Sequence, residues 1–184
     1  MSQPSNWPLP ESSIRFLVPK AIIAELSLNI LTRGLYPLAF GHYQHAAGHN
    51  VSRQLHTDTL LMICTQGKGQ VEYNGRNIEL SQGQAVLLPK DISHSYYADH
   101  RSPWSIYWVH MDGHLVEQFI AMILTEKNAY RFDVPNYQDV IEEFEQLLAC
   151  RLSTYQFANF IYASNLLKKM MASFISHSQL PLTF

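Results

Sequence analysis

The residues of this chain best suited to chemistry are its histidines and its aromatics. Nine histidines are present. His42, His45 and His49 share one polar run, and His56 has Asp58 two positions on, with Arg53 just upstream. His94 and His110 lie in strand-like stretches without an obvious acid partner in sequence. Imidazole can act as a general base, a metal ligand or a hydrogen-bonding contact. Catalysis needs a nucleophile, a base and an orienting group together. No G-x-S-x-G elbow, phosphate-cradling glycine loop or H-E-x-x-H segment occurs, so the expectation is that the chain is not an enzyme. The aromatic group is Tyr96, Tyr97, Trp104, Tyr107 and Trp108. Aromatic walls carrying a few polar groups are typical of small-molecule sites. Strand alternation puts Ile106 and Trp108 on one face and Tyr107 and Val109 on the other.

The elements that must position these groups are short strands. Between Leu60 and Gly113 apolar runs recur every eight to twelve residues, broken by glycine or proline, the rhythm of an antiparallel sandwich or small barrel. Leu60 to Thr65 reads as a buried strand. Val71 and Tyr73 alternate with Gln70 and Glu72, and Asn74-Gly75 is a type I′ hairpin signal. Ile78 and Leu80 continue the return strand, Ala85 to Leu88 forms another, and Trp104 to Met111 is the last strong one. Gly34 to Phe40 is expected as the first barrel strand, while Ala21 to Leu26 fits a short helix or a strand equally. Beyond Gly113 the period changes. Leu115, Phe119, Met122 and Ile123 have helical spacing, then comes a loop holding Pro135. Asn136 with Asp139, and Ser153 with Gln156, resemble capping boxes. Phe157, Phe160, Ser164, Leu167, Met171 and Phe174 are spaced as an a/d seam.

The ordered series before and within the strands resembles the sensor half of AraC-type transcription regulators. It comprises Gly67-Lys68-Gly69, Gly83, Leu87-Leu88-Pro89, His94-Ser95-Tyr96, Pro103-Trp104, and Tyr107-Trp108-Val109-His110 with Gly113. The resemblance implies a mainly β protein with C-terminal helices: a cupin-like, jelly-roll-type antiparallel β barrel followed by a helical dimerisation segment. The division is then an extended arm at 1–13, a barrel at 14–113 and helices at 114–184. It also implies a small-molecule effector, a homodimer formed along the Phe157 to Phe174 seam, and DNA contact only through helix-turn-helix units that this sequence lacks. Arg53, Tyr96 and Trp108 align with the family's effector contacts, with His94 beside them and His42 a further candidate. Arg53 offers five fixed donors, Tyr96 a hydroxyl, and Trp108 an indole face for the C–H face of a pyranose, so a sugar is the expected effector. In some members the N-terminal arm closes over the effector, and Trp7 is the one residue of this arm that must pack on something.

Cupins often carry a metal. Gly83-x5-Pro89-x4-His94 is similar to the second cupin motif, with Asp91 where glycine is usual, and the first motif's register falls on His56, Asp58, Met62 and Gly69. Imidazole and carboxylate suit a divalent ion, but a thioether mixes poorly with them. No metal or cofactor is therefore expected. The alternative readings are a metal-dependent cupin enzyme and a stand-alone sugar-binding module.

Composition sets outer bounds. With 184 residues, 47% of them hydrophobic, the chain can bury a core. A net charge of −2 gives no reason to expect a general nucleic-acid surface. Cys64 and Cys150 form no C-x-x-C pair and read as buried core residues. The first residues lack the basic and apolar regions of a signal peptide, and no apolar run has the length of a membrane span. A soluble cytoplasmic protein without membrane partners is the expectation.

Overall fold

The structure, a computed structural model, describes residues 6–54, 56–124, 129–152 and 156–178, with side chains as far as residue 175. Among the described residues ten strands form two antiparallel sheets. The larger contains β1 (Ile14–Leu17), β2 (Tyr36–Tyr43), β9 (Ser105–Asp112), β4 (Thr59–Gln66), β7 (Gln84–Leu88) and β10 (Arg131–Asp133), in that spatial order. The smaller contains β3 (Asn50–Arg53), β8 (His94–Ala98), β5 (Lys68–Tyr73) and β6 (Arg76–Ser81). The expected barrel is thus realised as two facing sheets, closed by side chains rather than by one continuous ladder.

The larger sheet is buried on both faces, and its sequence shows it. Leu60, Met62 and Cys64 of β4 point toward the smaller sheet, while Leu61 and Ile63 point toward the helices. A strand covered on both sides reads as the unbroken apolar run Leu60 to Cys64. The smaller sheet faces solvent on its other side and alternates cleanly, buried Val71 and Tyr73 against Gln70 and Glu72. Asn74 and Gly75 have φ of 48° and 71°, the hairpin expected of them. Asp91 has φ 64°, which explains why glycine is usual in that motif position. Gly41 is a close-approach residue. A Cβ there would lie 2.5 Å from Trp108 Cζ2 and 2.3 Å from the Ile14 carbonyl oxygen.

Among the described residues four α-helices follow or flank the strands: α1 (Lys20–Leu28), α2 (Val116–Ile123), α3 (Tyr137–Ala149) and α4 (Phe157–Ser178). The ambiguous Ala21 to Leu26 segment is therefore helix. Asn136 sits at φ 46° with no side-chain cap bond, so its resemblance to a capping box with Asp139 is not realised. Ser153 lies outside the described residues. Three short strands escaped the sequence reading: β1, which precedes the strand expected to be first, β3, and β10 in the expected loop. β10 pairs with β7 (Phe132 with Ala85) and brings the segment after Gly113 into the sheet itself.

The largest correction concerns α4. Phe160, Ser164, Leu167, Met171 and Phe174 are each no more than 2% exposed, and Phe157 is half-buried. They pack with Leu38 and Phe40 of β2 and with α3 in one intramolecular core. The 3–4 spacing marks a helix face covered by the chain's own sheet, so these residues are not a free dimer seam. Burying each large apolar side chain is worth about 1.5–3 kcal/mol.

Candidate functional site

Between the two sheets the inward-facing residues at one end are polar and aromatic instead of aliphatic. The sheets place them by simple alternation. In β9 Ile106, Trp108 and His110 point inward, while Tyr107, Val109 and Met111 point to the helices. In β8 His94, Tyr96 and Ala98 point inward. Arg53 follows the inward Val51 by two residues and pairs with His94 across β3 and β8. The Arg53 side chain hydrogen-bonds Tyr96, and its positive charge is also felt at Tyr43, His56 and His94.

Eight rings form a closed circuit around this space. Successive centroids are Trp7–Tyr43 4.9 Å, Tyr43–Trp108 5.3 Å, Trp108–His110 5.6 Å and His110–His56 5.3 Å. The circuit continues His56–His94 4.6 Å, His94–Tyr96 5.9 Å, Tyr96–His49 5.6 Å and His49–Trp7 5.1 Å. Trp7 comes from the arm, where its indole donates to the Ala47 carbonyl at 3.1 Å and its own carbonyl accepts from Arg15 at 3.1 Å. The arm residue expected to pack on something therefore packs on this circuit.

The polar groups divide into satisfied and unsatisfied sets. Asp58 Oδ1 lies 2.8 Å from His110 Nδ1 and 3.1 Å from His56 Nε2, all three residues being buried. His94 Nδ1 lies 2.9 Å from the Ile92 carbonyl oxygen. By contrast Arg53 Nε, His94 Nε2 and Trp108 Nε1 are buried without hydrogen-bond partners. Burial disfavours the charged form of each imidazole, lowering His56 to about 3 and both His49 and His94 to about 4. Burial likewise pushes the Tyr96 hydroxyl up to about 12. At neutral pH the His49, His56 and His94 rings are uncharged hydrogen-bonding groups.

Of the residues singled out from the sequence, Arg53, His94, Tyr96 and Trp108 come together. His42 does not. It shares the helix-facing side of β2 with Phe40, stacks on Tyr107 at 4.0 Å, and is separated from the others by the sheet. It borders a different cavity of about 560 Å³ with Gln44, Thr65 and Gln66. Sequence reasoning missed Tyr43, His49 and His110 as members of the site. Alternation from Trp108 reaches His110 directly, so that signal was available. Tyr43 and His49 have no comparable marker.

The cupin metal register does not fit a cofactor here. Met62 stays in the apolar wall with Leu60 and Leu88. His94 directs Nδ1 at a backbone carbonyl. The ligand atoms that do cluster, within 4.8 Å, belong to His56, Asp58 and His110, and Asp58 already hydrogen-bonds His110. His110 lies outside that register.

The family model for the AraC-like ligand binding domain matches residues 36–169. The MmsAB operon regulatory protein of Pseudomonas aeruginosa is 35% identical over 99% of this chain and 58% of its own length. The lactose operon transcription activator of Staphylococcus xylosus is 28% identical over 52% of this chain and 33% of its own length. This chain thus spans little more than half of the first relative and a third of the second. Among solved structures, a cupin 2 conserved barrel domain protein from Salinispora arenicola superposes with a TM-score of 0.41 at 15% identity, covering 64% of this chain and 93% of that one. Among the described residues no helix is long and apolar enough to cross a membrane. With the strand order, the inward polar cluster and the family match together, the chain belongs to the AraC-like ligand binding domain family.

Proposed function

We propose that this chain is the effector-sensing part of a transcription regulator and that it takes a small, oxygen-bearing metabolite into the space between its sheets. One observation carries the reading. Arg53, His94 and Trp108 hold buried nitrogens without partners inside a ring of aromatic side chains. Each such group costs about 1–3 kcal/mol when left unpaired, and a bound ligand recovers that. A sugar suits the indole face of Trp108, and one relative is named for a lactose operon. Pairing with a second copy uses a surface other than the α4 seam, such as the exposed Leu28, Ile30 and Leu31.

A thermal-shift screen with sugars and small organic acids tests the sensor reading, because a ligand bound only by the folded state raises apparent stability by mass action. A hit whose affinity falls in Arg53→Ala and Trp108→Phe supports this site. Unchanged affinity in both, with the fold intact, places the site elsewhere.

A further inference from the structure

The groups facing the space between the sheets specify the ligand's chemistry more closely, provided the site is the one proposed above. His94 sets the first requirement. Its Nδ1 lies 2.9 Å from the Ile92 carbonyl oxygen, which can only accept, so Nδ1 carries the hydrogen. The uncharged ring then offers Nε2 as a buried acceptor, and nothing among the described residues donates to it. Trp108 and Arg53 set the second requirement. Indole and guanidinium nitrogens only donate, and both Trp108 Nε1 and Arg53 Nε are buried without a partner. Among the described residues no carboxylate lies within ion-pair distance of Arg53. Asp58, the inward acid, is held by His110. Beside the aromatic rings, the same buried cluster contributes the apolar side chains of Val51, Leu60, Met62 and Leu88.

We propose that the effector is a small hydroxy acid, its carboxylate held by Arg53 and Trp108 and its hydroxyl donating to Nε2 of His94. Each half of the ligand follows from one half of the site. A simple carboxylic acid would set an oxygen lone pair or a C–H against Nε2 of His94. A neutral sugar would satisfy His94 but give Arg53, whose side chain hydrogen-bonds Tyr96, no charged partner. Bonds between ionised partners are roughly twice as strong as neutral ones, so the acid has the larger gain. The apolar side chains suit an alkyl portion joining the two polar groups.

The test is calorimetry on the full chain with short-chain α- and β-hydroxy acids, each compared with its primary amide and its deoxy acid, and with neutral hexoses. The expected result is that a hydroxy acid binds and that its amide and deoxy counterparts bind roughly ten- to a hundredfold more weakly. Arg53→Gln should erase the acid-to-amide difference, and His94→Phe the hydroxy-to-deoxy difference. If either variant fails to fold, the amide and deoxy comparisons on the unmodified protein decide alone. A hexose that binds while none of the acids does would overturn the hydroxy acid and leave the sensor reading standing. An acid bound no better than its amide and deoxy forms would overturn it as well. Absence of binding by every acid and every hexose would count against both.

Discussion

His110 Nδ1 lies 2.8 Å from Asp58 Oδ1, joining the C-terminal part of β9 to the residue that leads into β4 in the buried space between the sheets. The same oxygen is 3.1 Å from His56 Nε2. A carboxylate so enclosed holds two strands and a loop in fixed relation. Asp58→Asn removes its charge with little change in size. It should lower unfolding free energy by about 1–3 kcal/mol in urea titration. Glu79→Gln, which breaks the exposed pair with Lys68 (2.9 Å), should change stability little, because solvent screens that pair. Equal costs for the two variants would show that the buried contact has no special weight.

Stability should fall as the solution is made acidic, beginning near pH 6. The unfolded chain's histidines titrate near 6.5, whereas burial lowers His49 and His94 to about 4 and His56 to about 3 in the folded protein. Between those values the unfolded state binds more protons, so unfolding becomes easier with each step down in pH. The loss should be complete for His49 and His94 near pH 4 and extend to about pH 3 for His56. Calorimetric Tm values from pH 7 to pH 4 check this. A flat Tm across that window would refute it.

Leu167→Glu distinguishes a packed face from a pairing face. Leu167 is fully buried against the chain's own core. An unpaired carboxylate there should cost about 3 kcal/mol or more, giving unfolded or aggregated material rather than folded monomers. Ala158→Glu, on the exposed side of the same helix, should leave circular dichroism and Tm nearly unchanged. Folded, monomeric Leu167→Glu protein would restore the seam to the surface.

Trp7 closes the ring circuit from the arm, with Tyr43 at 4.9 Å and His49 at 5.1 Å. Trp7 itself is only half-buried, so Trp7→Ala should change Tm little while accelerating effector release. Stopped-flow dissociation of the best screened ligand reads this. An unchanged release rate would make the tryptophan a surface anchor only.

The sequence by itself determined most of the strand plan. The apolar run Leu60 to Cys64, the Asn74-Gly75 hairpin and the alternation at Ile106 to His110 are short-range patterns, and backbone geometry converts them directly into strands and inward faces. That alternation also placed Trp108 correctly, and the family's motifs brought in Arg53, His94 and Tyr96. Tertiary structure decided what each face meets. The spacing from Phe157 to Phe174 states that one side of α4 is apolar; only the position of β2 shows that this side is covered from within. β10 has three residues and exists because β7 offers it an edge. His42 had the right chemistry, but its strand parity turns it to the helices. His110 and Asp58 are 52 residues apart. No local period links residues so distant in the chain, because their contact is fixed by the β4–β9 pairing register, which forms only when the sheet assembles.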